Sequence, residues 1–303
     1  MLKYGQMILT VAESKKLICK AILQHPYVKK AWEEGIIVVH PSSTTYFILE
    51  ELGLELPKEN NGLWVCGHIS NKGLCQAKPM ADLMLGSYKD PCKGTYYPFD
   101  FVFKNGVLQP QGPLQDVLDQ MSENDVYIKS VNAIDPEGNL GILLCVPGGG
   151  SIGNVMRNKP KRNFKILAAT GIEKNIPVPI IKAAKMCIKL DKATGIKCKM
   201  TILKANDFLS EIEAFKILTG CIATPVACGG ISGMEGGYVF VLEGTEEQLN
   251  KAWELWKEIR NSQLPEAPEY ECEECPFPVC SHSPKYDPAY SEGIYKAPTV
   301  EQK

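Results

Sequence analysis

The chain has 303 residues, of which 45% are hydrophobic and 22% charged, a globular composition long enough for two compact domains. Its 33 basic and 35 acidic residues give a formal charge of -2, without the basic surplus that grips nucleic-acid phosphates. No apolar run approaches the roughly 18 residues that cross a bilayer, and the first residues lack the apolar core of a secretory signal. We therefore expect a cytoplasmic protein with neither nucleic-acid nor membrane partners.

The first half of the sequence predicts an α/β unit. Its predicted elements are, in order, a helix over 14–32 broken or kinked at Pro26, a strand at 36–39, a polar loop at 40–45, a helix at 46–52, an irregular insertion over 55–111, a helix from 114, and strands at 125–131, 140–146 and 164–170. Within the insertion, Asn105-Gly106 predicts a hairpin turn. Strands that alternate with helices in this way favour a parallel sheet.

After residue 178 the pattern changes. The predicted elements are a helix at 179–193, a strand at 197–203, a helix at 207–219, a strand at 238–242 and a helix at 246–260. Thr245 and Gln248 have the spacing of a capping box for the last helix. We thus predict a three-layer parallel-sheet α/β domain over 1–178, a smaller α+β domain over 179–262 and an extended, Cys-bearing tail over 263–303.

Two polar loops follow apolar predicted strands. Loop 40–45 (HPSSTT) offers four hydroxyls at the start of a helix, where an anion is favoured, and loop 148–153 has four glycines in six residues, which lets the backbone approach a ligand. Helix capping and a tight turn are the structural alternatives. We expect both loops to face one cleft at the carboxyl ends of parallel strands.

These loops and the sequence between them resemble a known superfamily. The segments IIVVHPSSTTYFILEEL and VYIKSVNAIDPEGNLGILLCVPGGGSIG resemble the ribose-5-phosphate isomerase, glucosamine-phosphate deaminase and CoA-transferase superfamily. The nearest sub-group is the LUD-domain proteins linked to lactate utilisation, over about residues 14–178. The resemblance implies an isomerase/CoA-transferase-like fold with a binding cleft.

The chain departs from this superfamily where its activities reside. The isomerases carry a D-G-A-D turn, a lysine before the glycine run and a glutamate after it, whereas this chain has SVNA at 130–133, VP at 146–147 and Asn158. The nucleophilic glutamate of the CoA-transferases has no matching position, and His40 and Pro41 replace the first glycines of the G-x-G-S-T loop. We therefore predict no ribose-5-phosphate isomerase activity, because its proton shuttle lacks titratable groups.

Polar residues of the two loops and the turn between them are the candidates for ligand binding: Ser42, Ser43, Thr44, Asn132, Gly148, Gly149, Gly150 and Ser151. If the cleft catalyses a reaction, Lys174 and Glu173 are the closely spaced ionisable pair at a strand end, and Asp135 is the next candidate. The structural alternatives are caps and turns for the polar residues and a solvated ion pair for Glu173 and Lys174. Whether the protein is an enzyme stays open.

Twelve cysteines fall into two groups. Nine are scattered singly through predicted strands and helices, which is typical of reduced, buried thiols and indicates an anaerobic or strongly reducing cell. The other three form a cluster with a histidine near the end: Cys272, Cys275, Cys280 and His282. Such soft ligands predict a zinc site or, less readily, an iron-sulfur centre, with a redox dithiol or a fortuitous cluster as alternatives. The spacing of Cys66, His68 and Cys75 matches no recognised ligand pattern.

Together these features predict a protein that binds, and if suitably equipped converts, a small phosphorylated or carboxylated metabolite in a cleft between the two domains. The likeness to LUD-domain proteins implies an alternative, a non-catalytic partner of an iron-sulfur redox complex. A metabolite-sensing regulator is a further alternative. Both a homo-oligomer and a complex with a redox protein are compatible with the sequence.

Overall fold

The computed structural model describes residues 1–54, 63–85, 100–110 and 112–292 of a mixed α/β protein. Its strands are β1 (Lys3–Leu9), β2 (Ile36–Val39), β3 (Gly67–Ser70), β4 (Gly73–Gln76), β5 (Phe101–Lys104), β6 (Val107–Leu108), β7 (Val126–Lys129), β8 (Ala133–Ile134), β9 (Leu140–Leu144), β10 (Lys165–Ala169), β11 (Lys199–Leu203), β12 (Asp207–Leu209), β13 (Ile222–Gly229) and β14 (Gly237–Gly244). Its helices are α1 (Val11–Gln24), α2 (Pro26–Glu34), α3 (Tyr46–Glu51), α4 (Lys78–Met84), α5 (Leu114–Gln120), α6 (Gly150–Arg162), α7 (Ile180–Cys187), α8 (Glu211–Thr219), α9 (Glu246–Ile259) and α10 (Pro288–Glu292).

The largest sheet has six strands in the order β12-β10-β7-β2-β5-β6. The first four strands are parallel, and β5 and β6 add an antiparallel edge. Every residue of β2 is buried, and its side chains alternate between two apolar clusters: Ile37 and Val39 pack with α1 and α8, whereas Ile36 and Val38 pack with α5 and α6. Coverage of both faces explains why this strand is an unbroken apolar run.

The described residues also form three smaller sheets. The strands β1, β14 and β13 form an antiparallel sheet, as do β11, β9 and β8, and β3 pairs with β4 in a hairpin. Strands β1, β9 and β10 each find a partner beyond residue 178, in β14, β11 and β12 respectively. Strand pairing therefore crosses the predicted domain boundary in three sheets.

Several local predictions are confirmed. Pro26 starts α2 directly after α1 ends, so of the predicted break or kink the structure has the break. Asn105 and Gly106 have φ values of 49° and 74°, the left-handed pair of a two-residue hairpin turn between β5 and β6. The capping box of Thr245 with α9 is formed.

Other local predictions are wrong. The predicted helix over 207–219 begins only at Glu211, where Ser210 caps it, because 207–209 instead extends the parallel sheet as β12. The glycine-rich segment predicted as a loop continues into α6, a helix that the sequence pattern does not predict. The strands β1, β3, β4 and β13 were not predicted either. Parts of the insertion, 55–62, 86–99 and 111, lie outside the described residues. Among the described helices, none combines the length and apolarity that a bilayer crossing needs.

Candidate functional site

A cavity of about 540 Å³ lies at the carboxyl ends of β2, β7 and β10. Its volume is within the range of small-molecule sites, and its position is the one at which α/β sheets bind ligands. The hairpin β3–β4 and residues 264–267 contribute further walls. Both predicted loops line it, through His40, Pro41, Ser42, Ser43, Gly149, Gly150 and Ser151, and Asn132 lines it between them.

Thr44 and Gly148 are the two predicted binding residues that do not line this cavity. The Thr44 side chain is fully buried, with its hydroxyl 3.3 Å from that of Ser130. The Thr45 hydroxyl donates to the carbonyl of His40 at 2.5 Å, and its backbone N–H donates to the Ser42 hydroxyl at 3.2 Å. The two threonines therefore hold the loop in shape, and only the two serines offer their hydroxyls to the cavity.

Three lysines line the cavity: Lys15, Lys129 and Lys174. Burial lowers the pKa of both Lys129 and Lys174 to about 8. The Lys174 ammonium donates to the Val131 carbonyl at 2.8 Å and to the Ser130 hydroxyl at 3.1 Å. The Lys129 ammonium, by contrast, makes no hydrogen bond or ion pair within the described part of the chain. Since the described lining contains no Asp or Glu, the cavity carries positive charge at neutral pH.

The predicted pair of Glu173 and Lys174 is split between two environments. Glu173 does not line the cavity, and its carboxylate lies 3.9 Å from the Lys15 ammonium. Glu211 lies beside this group and accepts a hydrogen bond from the Ile172 N–H at 3.0 Å. Burial, together with the Glu173 charge, raises the pKa of Glu211 to about 7. Behind the cavity there is thus a buried acidic pair with one lysine, in place of a solvated ion pair.

Asp135 organises a turn and does not line the cavity. Its carboxylate accepts from the backbone N–H groups of Asn139, Glu137 and Ile180 at 2.8 to 3.1 Å. Although burial raises the pKa of Asp135, the hydrogen bonds from Ile180 and Asn139 hold it below its ordinary value. This set of bonds matches the structural alternative for Asp135, a turn residue.

A buried group of His40, Asp100 and Tyr127 was not found from the sequence. The His40 Nδ1 lies 2.7 Å from the Asp100 carboxylate, and the Tyr127 hydroxyl donates to the same oxygen at 3.0 Å. Burial lowers the pKa of His40 and the charge of Lys129 lowers it further, which favours a neutral ring. Because the carboxylate can only accept, Nδ1 carries the proton and Nε2 keeps a free lone pair. Sixty positions separate His40 from Asp100, so no local pattern joins them.

The C-terminal cysteines line a second, smaller cavity of about 30 Å³. Cys272, Cys275, Cys280 and His282 all line it, and Cys75 of β4 joins them. Burial raises the pKa of the thiols of Cys75, Cys275 and Cys280. Among the described residues, no three His, Cys, Asp or Glu side chains already have the spacing of a metal site. The structure therefore brings the predicted cysteines to one place and adds a fourth thiol that sequence spacing did not indicate.

Comparison of the chain with protein-family models, with curated proteins and with solved structures finds no match. The likeness to the isomerase and CoA-transferase superfamily therefore stays a resemblance carried by two sequence segments. The fold and the site together define a class of protein, a mixed α/β protein with a lysine-lined cavity at the carboxyl ends of parallel strands.

Proposed function

We propose that this protein binds a small phosphorylated or carboxylated metabolite in the 540 Å³ cavity. One observation supports this most strongly: the described lining has three lysines and no carboxylate. An anion placed there would compensate charges that burial otherwise makes costly, as the lowered pKa values of Lys129 and Lys174 indicate. The finer architecture that we propose is the three-layer isomerase/CoA-transferase-like one, supported by the apolar clusters on both faces of the parallel strands.

Neutral donors in the cavity also support an anionic ligand. The 13-residue helix α6 begins at the cavity, and its first N–H groups have no partner within the helix. Gly149 caps this helix and Gly150 begins it, with φ values of 79° and 56°, and glycine adopts such positive values without steric cost. Trp64 also lines the cavity, and its buried indole N–H has no hydrogen-bond partner in the described part of the chain. A ligand rich in acceptor oxygens would satisfy these donors.

The pair of His40 and Asp100 supports a second proposal, that the bound metabolite undergoes proton transfer. A neutral imidazole with Nδ1 held by a carboxylate is a general base at Nε2. His40 lines the same cavity as the lysines, so base and anion-binding groups share one site. The chain lacks the lysine and carboxylates of the isomerases at the matching positions, so we propose His40 as a base that differs from theirs. The binding experiment identifies the class of substrate.

A metabolite-library thermal-shift screen tests the binding proposal. A ligand present at about 100 times its Kd adds about 2.7 kcal/mol to the free energy of unfolding. Hits should be phosphorylated or carboxylated compounds, and Lys129→Ala and Lys174→Ala should abolish their shift. The matched control is Lys204→Ala, which removes an exposed lysine that does not line the cavity. Hits that are all uncharged, or that keep their shift in both cavity variants, would contradict the proposal.

Turnover is tested separately with the same hits. Isotope exchange from deuterated water into a bound metabolite should occur with the wild-type protein and be lost in His40→Ala, while binding of the metabolite persists. Asp100→Asn should slow the exchange, because the amide no longer holds Nδ1–H in the same way. Exchange that is equally fast in His40→Ala would show that His40 is not the base.

A further inference from the structure

Four thiols from two distant segments surround the cavity of about 30 Å³. Cys75 comes from the hairpin β3–β4, and Cys272, Cys275 and Cys280 come from the tail, some 200 positions later. All four are half-buried or buried, and no disulfide joins them. A C-x-x-C pair of thiolates, such as Cys272 and Cys275, completed by further soft ligands is typical of structural zinc sites.

Contacts around the cavity already hold the two segments together. The Leu74 N–H donates to the Thr194 carbonyl at 3.2 Å, the Ile196 N–H donates to the Leu74 carbonyl at 2.8 Å, and Ile196 bridges to Cys280. The backbone next to Cys75 is therefore linked to the backbone at Cys280 through residues 194–196.

A second set of contacts fastens the tail on its other side. The Lys72 ammonium donates to the Tyr270 carbonyl and to the Glu271 carboxylate, both at 3.1 Å, and Glu269 pairs with His68. The Ser283 hydroxyl donates to the Cys275 carbonyl at 2.6 Å. With the backbone placed in this way, χ1 is the only side-chain torsion that has to change to redirect each sulfur.

We propose that Cys75, Cys272, Cys275 and Cys280 together bind one zinc-type metal ion, which fastens the tail to the hairpin β3–β4. Four soft thiolates are the preferred set for tetrahedral zinc. The cavity is small, about 30 Å³, which suits a single ion better than a sulfide-bridged iron cluster. Cys75 replaces the histidine that the sequence suggested, since His282 is exposed and Cys75 is half-buried beside the other thiols.

The position of this site gives it a structural role in the lysine-lined cavity. Cys75 and Gln76 line both cavities, and Leu264, Pro265 and Ala267 of the tail line the larger one. The ion therefore stabilises two walls of the larger cavity without contacting its contents. This inference does not depend on the proposed ligand, because metal binding is measured with no metabolite present.

The test is the metal content of the full chain, purified without oxygen after expression with added zinc. Elemental analysis and native mass spectrometry should find one zinc per chain in the wild type. Cys75→Ser and Cys272→Ser should reduce this to below a tenth of an ion, whereas Cys228→Ser, an exposed cysteine away from the cavity, and His282→Ala should retain it. Protein without metal, iron with sulfide in place of zinc, or loss in His282→Ala with retention in Cys75→Ser would each overturn the proposal.

A measurement on the wild type covers the case in which Cys75→Ser does not fold. Mild alkylation followed by peptide mass spectrometry should leave all four proposed ligands unmodified in the zinc-loaded protein, and a chelator should make them reactive together. Cys228 should react equally in both states and serves as the internal control. Alkylation of Cys75 that is unchanged by the chelator would show that Cys75 is not a ligand.

Discussion

The two cavities of this protein share the hairpin β3–β4 but offer opposite chemistry. The larger is lined by three lysines, hydroxyls and backbone N–H groups, which suit hard, negatively charged oxygens. The smaller is lined by four cysteine thiols, which suit a soft cation. One hairpin thus lies between the proposed anion site and the proposed metal site, and each can be perturbed without substituting the proposed ligands of the other. The comparison predicts which changes should spread across the hairpin and which should stay local.

Metal removal should have the largest effect, and this effect should extend to the larger cavity. An ion present at about 1,000 times its Kd contributes about 4 kcal/mol to the free energy of unfolding, so chelation should lower the melting temperature of the wild type. Because the tail lines both cavities, chelation should also weaken metabolite binding. Calorimetric melting with and without chelator measures the first effect and titration calorimetry the second.

Lys129→Ala tests the converse and should leave the zinc content unchanged. Zinc loss in that variant would show that the two sites are not separable.

Glu211→Gln should have the next largest effect, and only on the side of the lysine-lined cavity. The pKa of Glu211 is raised to about 7 from 4.5, so the folded state binds more protons than the unfolded state between these values. Wild-type stability should therefore fall as pH rises from about 4.5 to about 7, by roughly 3 kcal/mol. Glutamine cannot ionise, and the variant should lose most of this dependence. Denaturant unfolding from pH 5 to pH 7 measures it, with Glu254→Gln on the exposed face of α9 as control. Equal slopes for wild type and Glu211→Gln would contradict the assignment.

Raising the pH should weaken anion binding and stabilise the free protein. The folded pKa of Lys129 and of Lys174 is about 8, below the ordinary lysine value of 10.5. Above pH 8 these lysines lose their positive charges. The affinity for an anionic ligand should therefore fall by up to about tenfold per pH unit for each lysine that must be protonated. Between about pH 8 and 10.5 the unfolded state binds more protons, so this contribution to stability rises with pH.

Titration calorimetry and denaturant unfolding across pH 7 to 9.5 measure the two trends. The zinc content should not change over the same range, because thiolate ligands stay deprotonated there. Affinity that is independent of pH in the wild type would remove both lysines from the anion site.

The smallest expected effect concerns a thiol that belongs to neither cavity. A hydrogen bond from Cys198 lowers the pKa of Cys187 to about 7, so this thiol is partly ionised at neutral pH. Brief alkylation at pH 7 should modify Cys187 before the thiols whose pKa is raised, and Cys198→Ala should slow its reaction several-fold. Chelation should not alter the rate at Cys187. A chelator-dependent rate there would mean that metal binding extends beyond the smaller cavity.

Much of the fold and part of the site follow from short-range patterns. The buried strand β2, the turn at Asn105-Gly106, the capping box of α9 and the polar loops after strands were all predicted, because each depends on residues within a few positions of one another. The C-x-x-C spacing of Cys272 and Cys275 likewise needs no knowledge of the fold.

Contacts between distant segments were decided only by the tertiary structure. Asp207–Leu209 becomes a strand because β10 offers a free edge, and β1 pairs with β14 across almost the whole chain. The sequence around Lys129 does not indicate a cavity at the end of its apolar strand, and the sequence around Cys75 does not indicate a contact with the tail. Parallel strands carry their loops to a common edge whatever their separation in sequence, and burial of apolar faces selects the partners. The sequence therefore determined the local elements and the ligand types, while packing determined which lysines and which thiols meet.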